Sequence, residues 1–142
     1  MCKTKNLVTD NGDLYYAEAA MGSESWTPTG FRMGTDPASA DVAKADNDVN
    51  SFATGTNQLT DAGYPKTNDD DGDNTGAGTD IVSWRVSFGT SAANVNSLGE
   101  IAICDSLTGP TKALCHAVFS APFNKTSDDT LKVFVNHTFT GA

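Results

Sequence analysis

The alternation of apolar and polar residues near the end of the chain is the feature that most constrains the fold. One face of the extended chain there carries Leu131, Val133, Val135, His137 and Phe139. Such a period of two is typical of a strand with one buried face. The stretch from Lys112 to Phe119 predicts a second strand. Because the link Ser120 to Asp129 is short and rich in Pro, Asn, Ser and Asp, we expect the two strands to pair antiparallel across it.

A second alternation predicts a strand at the centre of the core. Its apolar face carries Val82, Trp84, Val86 and Phe88, separated by Ser83, Arg85 and Ser87. The stretch Leu98 to Cys104 predicts a further strand with Ile101 and Ile103 inward. Residues 81–140 therefore predict four strands with short connections, either a meander or part of a sandwich.

The first half of the chain predicts less regular structure. A cap at Thr9 or Asp10 favours a short helix, although Gly12 weakens it. Residues 35–63 are small and polar, which indicates a long excursion that needs a neighbour to lie on and is a candidate inter-subunit arm. We expect a mainly β, antiparallel β-sandwich or jelly-roll-like domain with long N-terminal arms and loops. Residues 1–63 are the predicted arm and loops, and residues 64–142 the β core of a single domain.

Charge and hydropathy exclude several classes of partner. The formal charge is -9, and the nine Lys and Arg residues are scattered, which argues against binding to a nucleic-acid backbone. No apolar run approaches the roughly 20 residues that cross a bilayer. The first residues lack the apolar region of a secretion signal, so we expect the mature protein to start where the sequence does.

The three cysteines, Cys2, Cys104 and Cys115, lack the spacing of a metal site. An odd number favours free thiols in a chain assembled in a reducing cytoplasm. A bridge between Cys104 and Cys115 across neighbouring strands is the alternative.

An acidic segment is the candidate metal site. Asp69, Asp71 and Asp73 are the candidate ligands, because carboxylate oxygens suit calcium. The spacing does not match an EF-hand, since Thr67 and Gly78 fall where Asp and Glu are expected. Calcium as a cofactor and a solvated acidic loop therefore both remain open, and no other cofactor is indicated.

Three aromatic residues in the first half are candidates for an interface: Trp26, Phe31 and Phe52. Trp26 and Phe31 are also candidate core residues, and an exposed Trp26 would suit a sugar. His116 and His137 lie on predicted strands without partners at catalytic or zinc spacing. His137 shares an apolar face, which favours a core or interface histidine. Because no catalytic motif is present, we expect no enzyme activity.

Three segments resemble small structural proteins of tailed bacteriophages. They are FRMGTDPASAD at Phe31 to Asp41, the strand DIVSWRVSF, and KALCHAVFSAPFNKTSDDTLKVFVNHTF. The ending signature of that family is matched by Phe119, Lys125, Thr126, Asp129, Leu131 and Val133. His116 stands where such chains often carry Arg.

The resemblance implies a virion component that is assembled in the host cytoplasm. The first hypothesis is a capsid decoration (cement) protein that bridges capsomers, forms a homo-oligomer, in particular a trimer, and contacts the major capsid protein or other virion proteins. A tail, collar or fibre-associated subunit is the second. A calcium- or carbohydrate-binding module is the third and comes from the residues alone. None of these needs nucleic acid or a membrane.

Overall fold

Antiparallel β-sheets dominate the part of the chain that the computed structural model describes, which is residues 4–35, 41–67, 80–110 and 112–139. The strands are β1 (Thr4–Val8), β2 (Gly30–Gly34), β3 (Gln58–Leu59), β4 (Lys66–Thr67), β5 (Ile81–Phe88), β6 (Leu98–Cys104), β7 (Ala113–Phe123) and β8 (Leu131–Thr138), and the helix is α1 (Asp10–Met21). Sheet A has the strand order β1-β7-β6-β2-β3, and sheet B has the order β4-β5-β8. The predicted mainly β, antiparallel fold is confirmed.

The two sheets share one apolar core, as in a sandwich. Sheet B contributes Trp84, Val86, Phe88, Val133 and Val135, and sheet A contributes Phe31, Met33, Ile101, Ile103 and Phe119. The alternation predicted for β5, β6 and β8 therefore places most of the expected residues inward, whereas Phe139, also predicted on the buried face, lies just beyond β8 and is 46% exposed. The Trp84 side chain is only 2% exposed.

The predicted pairing of the strands that are now β7 and β8 is wrong. β7 pairs with β1 and β6, whereas β8 pairs with β5 in the other sheet. The link between them therefore crosses from sheet A to sheet B, and the β5–β6 link crosses back. Of the two predicted arrangements, the sandwich is the observed one and the meander is not. In sequence, β6 and β7 lie between β5 and β8, but the β6–β7 pair is in sheet A and the β5–β8 pair is in sheet B.

Lys125 joins the two crossing links. Its ammonium is almost completely buried and donates hydrogen bonds of 2.9 Å to the Gly89 carbonyl and to Asn94 Oδ1. Its backbone N–H also donates to the Val95 carbonyl. In the same turn, Asp129 Oδ2 accepts from the N–H and the hydroxyl of Thr126, so these two residues close the bend. The turn of residues 125–129, which carries part of the family signature, thus holds the β5–β6 and β7–β8 links together.

The N-terminal elements belong to the body of the fold. β1 lies at one edge of sheet A, and β2 lies inside that sheet. Both strands fall within residues 1–63, which were predicted as an arm and loops, so this part of the chain contributes to the β body itself. Thr9 caps α1 by accepting the Gly12 N–H at 3.0 Å, which confirms the predicted helix start. Gly12 is required because a Cβ there would overlap the Leu114 carbonyl oxygen. None of the described helices is long and apolar enough to cross a membrane.

Residues 46–51 cover the outer face of sheet A, and residues 52–57 continue along the edge of β2, where Phe52 bridges Gly34 and Ala53 joins the core between the sheets. On the outer face, Val49 packs on Ala102, Cys104 and Ala113, which form a second, smaller apolar cluster. β6 is consequently buried on both faces along its whole length. The described part of the long excursion therefore lies on its own sheet, which is the neighbour that a polar segment of this length needs.

Candidate functional site

The predicted metal ligands cannot be placed, because Asp69, Asp71 and Asp73 lie outside the described residues. Within the ranges that the structure describes, no group of three or more His, Cys, Asp or Glu side chains is arranged to hold a metal ion.

Two of the three aromatic interface candidates lie in the core. Phe31 is 0% exposed, and Trp26 is buried with its ring centroid 5.5 Å from that of Tyr15. Their large apolar rings fill the space between the sheets, which corrects their assignment to an interface and removes Trp26 as an open sugar platform. Phe52 is 39% exposed and stays a predicted contact residue, with the Arg32 guanidinium 3.8 Å from its ring centroid.

The predicted alternative of a bridge between Cys104 and Cys115 is also corrected. Both thiols are free and buried. Cys104 belongs to the outer cluster with Val49, and Cys115 belongs to the core between the sheets. Side chains on opposite faces of a sheet point apart, so the two sulfurs cannot join without rearranging the strands.

A buried ion cluster fixes residues 46–51 to sheet A. His116 Nδ1 lies 2.7 Å from Asp46 Oδ2, and His116 Nε2 lies 2.8 Å from Glu100 Oε2. Glu100 also accepts the backbone N–H groups of Asn50 and Ser51. Gly34 makes room for this carboxylate, because a Cβ at that position would overlap it. The cluster therefore joins β6, β7 and the covering segment.

The electrostatics of the cluster favour a charged imidazolium. Burial lowers the pKa of His116, but hydrogen bonds to Glu100 and Asp46 outweigh it and raise that pKa above its ordinary value. Burial likewise raises the pKa of Glu100, yet the bonds from His116, Asn50 and Ser51 bring it below its ordinary value. Because His116 and Glu100 are fully buried and the ring nitrogens point to different carboxylates, the arrangement suits structural pairing rather than catalysis.

A surface cavity of about 430 Å³ lies where α1 meets the edges of the two sheets. It is lined by Asn6 and Val8 of β1, Asp13 and Tyr16 of α1, and residues 136–139 at the end of β8. Among the described strands, β1 and β8 each lie at an edge of their sheet. The cavity is therefore the gap that α1 leaves between the sheets.

A chain of hydrogen bonds leads from the core to the wall of this cavity. Trp84 Nε1 donates to the Tyr16 hydroxyl oxygen at 2.9 Å, and that oxygen lies 2.6 Å from His137 Nδ1. The Tyr16 hydroxyl oxygen therefore accepts the indole N–H and lies within hydrogen-bond distance of the imidazole ring, so it links Trp84 to His137. Burial lowers the pKa of His137 to about 4, and it raises the pKa of Tyr16. Both groups are therefore uncharged at neutral pH.

His137 Nε2 is buried and has no hydrogen-bond partner among the described residues. The expectation that His137 is a core histidine is met, since its side chain is only 5% exposed. Its bond to Tyr16 could not be found from spacing, because the two residues lie 121 positions apart. Glu100 did carry a signal, since it is the one charged residue in the otherwise uncharged strand LGEIAIC.

Comparisons of the chain with protein-family models, with curated proteins and with solved structures find no match.

Proposed function

We propose that this chain is a non-enzymatic structural protein of a tailed-phage virion that decorates the capsid and bridges its capsomers. The observation that carries the proposal is the turn from Lys125 to Asp129. It contains three of the residues on which the resemblance rests: Lys125 holds the two crossing links together, and Thr126 and Asp129 close the turn that carries it. Sequence motifs that stabilise the β-sandwich itself are the kind that structural proteins with a common fold would share.

The charge of the chain supports docking on a protein lattice. A formal charge of -9 favours contact with a basic surface and disfavours contact with nucleic acid. Attachment through many such modest contacts becomes stable by multivalency when copies assemble as homo-oligomers, with a trimer favoured. The contact surface is expected on polar segments away from the signature turn, with Phe52 as a candidate residue.

The architecture also suits a subunit that works by packing. The buried ion cluster and the Lys125 contacts fix long connections onto the sheets, so the exposed surface is held in one shape. A rigid surface loses little conformational entropy when it binds, which strengthens small interfaces.

The test is the copy number of the chain in purified virions, measured by quantitative mass spectrometry against the major capsid protein. A decoration protein should approach the copy number of the capsid protein and dissociate from the particle as salt is raised, because screening weakens contacts between surface charges. A copy number far below that of the capsid protein would assign the chain to the tail, collar or fibre. Its absence from particles would overturn the proposal.

A further inference from the structure

We propose that the cavity between α1, β1 and β8 binds a neutral saccharide residue. Its volume of about 430 Å³ falls within the range of small-ligand sites, roughly 300–1,000 Å³. This inference rests on the cavity alone and does not depend on a role in the virion.

The polar groups of the cavity match a ligand that both donates and accepts hydrogen bonds. Asp13 offers the remaining acceptor sites of a carboxylate whose Oδ2 is paired with Lys44 at 2.6 Å, and Asn6 offers an amide, which both donates and accepts. β8 pairs only with β5 among the described strands, so alternate backbone groups near its end point away from β5. Ring hydroxyls of a saccharide can meet all of these groups.

Phe139 supplies an aromatic wall. Its side chain is 46% exposed, and its ring stands edge-on to Tyr16 with centroids 4.9 Å apart. The face of an aromatic ring is electron-rich and attracts the weakly positive C–H groups on the apolar face of a sugar. An exposed aromatic residue beside hydrogen-bonding groups therefore fits a sugar better than a purely apolar ligand.

His137 supplies part of the cavity wall rather than a ligand contact. Its side chain is 5% exposed, and its Nε2 is buried without a partner among the described residues. Because Nε2 has almost no accessible surface, a ligand in the cavity meets the ring and not this nitrogen. The ring is neutral at pH 7, since burial lowers the pKa of His137 to about 4. The lining includes neither Lys nor Arg, so it favours a hydroxyl or carbonyl oxygen over an anion.

The experiment is a titration of the ¹⁵N-labelled full chain, followed by amide chemical shifts. The probes are methyl glucoside, methyl mannoside, methyl galactoside and N-acetylglucosamine, with glucuronate as the anionic probe. We expect at least one neutral probe to cause saturable shifts at residues 136–139 and around Asp13, and glucuronate to bind more weakly. Shifts that never saturate, or that lie elsewhere on the chain, would overturn the proposal.

Two variants sharpen the result. Phe139→Ala should weaken binding about tenfold, which corresponds to the loss of one good contact. Leu59→Ala is the matched control, since Leu59 is also exposed but lies on β3 at the opposite edge of sheet A. Asp13→Asn should reduce the difference in affinity between glucuronate and the neutral probes, because it removes a negative charge from the cavity. Equal affinity of the Phe139→Ala and Leu59→Ala variants would count against the site.

Discussion

At the scale of single residues, the ion cluster around His116 depends on keeping all of its members. The carboxylate of Glu100 is fully buried and accepts three hydrogen bonds, from His116 and from two backbone N–H groups. Removing one member of a buried charged network leaves the others without compensation, which is far more costly than losing a surface pair.

Glu100→Gln should therefore lower the free energy of unfolding by about 3 kcal/mol. The substitution removes the charge that compensates His116 and turns an amide N–H₂ group towards backbone donors. Urea unfolding measures the effect, and Glu24→Gln at an exposed position is the matched control. If both variants unfold at the same urea concentration, the cluster does not stabilise the fold.

The two histidines should give stability a maximum near neutral pH. The pKa of His116 is raised in the folded state, so its contribution is complete below the unfolded value of about 6.5 and is lost as pH rises through the folded value. The pKa of His137 is lowered to about 4, so between about 6.5 and 4 the unfolded state binds a proton that the folded state does not. Its contribution therefore falls as pH drops through this window.

Urea midpoints at about pH 5, 6.5 and 9 would test this pattern, since these values bracket the ordinary pKa of histidine. The midpoint should be highest near the middle value. His137→Gln keeps a hydrogen-bonding group beside Tyr16 and should remove only the fall in the urea midpoint between about pH 6.5 and 5. If the midpoint of that variant still falls by the full amount, His137 is not the source of the acid-side loss of stability.

The residues of the cluster also show what could be predicted from the sequence. Glu100 within an apolar strand indicates that a buried partner exists, but it does not identify that partner. Asp46 lies 70 positions from His116, and only the folding of residues 46–51 onto sheet A brings them together. The cavity was hidden for the same reason, because β8 meets β1 and α1 there from far away in sequence: Tyr16 and His137 are 121 positions apart.

At the scale of elements, alternation identified β5, β6, β7 and β8 but not all of their partners. A period of two shows which face of a strand is buried. It does not show which sheet the strand joins, because both sheets of a sandwich face the same core. The link after β7 was therefore predicted as a hairpin, whereas Lys125 holds it as a crossing between sheets. The helix was found because a local capping interaction at Thr9 defines its start.

Lys125→Met should destabilise the fold by about 2 kcal/mol, because the Gly89 carbonyl and Asn94 Oδ1 would lose a buried donor. Thermal and urea unfolding measure the change, and Lys132→Met at an exposed position of β8 is the matched control. If the proposed role in the virion holds, any Lys125→Met protein that still folds should keep its attachment to the particle. A variant that is fully stable but detached would place Lys125 in the contact surface instead.

At the scale of the whole molecule, the buried thiols should report opening of the fold. Cys104 and Cys115 lie on the two faces of sheet A, and burial raises the pKa of both, that of Cys115 to about 12. Since the thiolate is the reactive form, neither should react with a thiol reagent in the native protein.

The measurement uses the Cys2→Ser protein, so that the remaining two thiols are Cys104 and Cys115. Reaction should be slow in buffer and complete in concentrated urea, with a native rate that follows the free energy of unfolding. An added thiol at an exposed position, Asp128→Cys, should react at once and serves as the control. Rapid reaction of the two native thiols would mean that a face of sheet A opens locally.

The nested strand pairs also govern the order in which the chain can fold during synthesis. β1 pairs with β7, and β2 pairs with β6, so these two strands are synthesised before their main partners in residues 98–123. Contacts of such long sequence separation are slow to form, whereas the β6–β7 hairpin is local. We therefore expect the hairpin to form first and the earlier strands to add to it from both sides. Until it emerges, β1 and β2 remain exposed and depend on the acidic character of the chain, or on chaperones, to stay unaggregated.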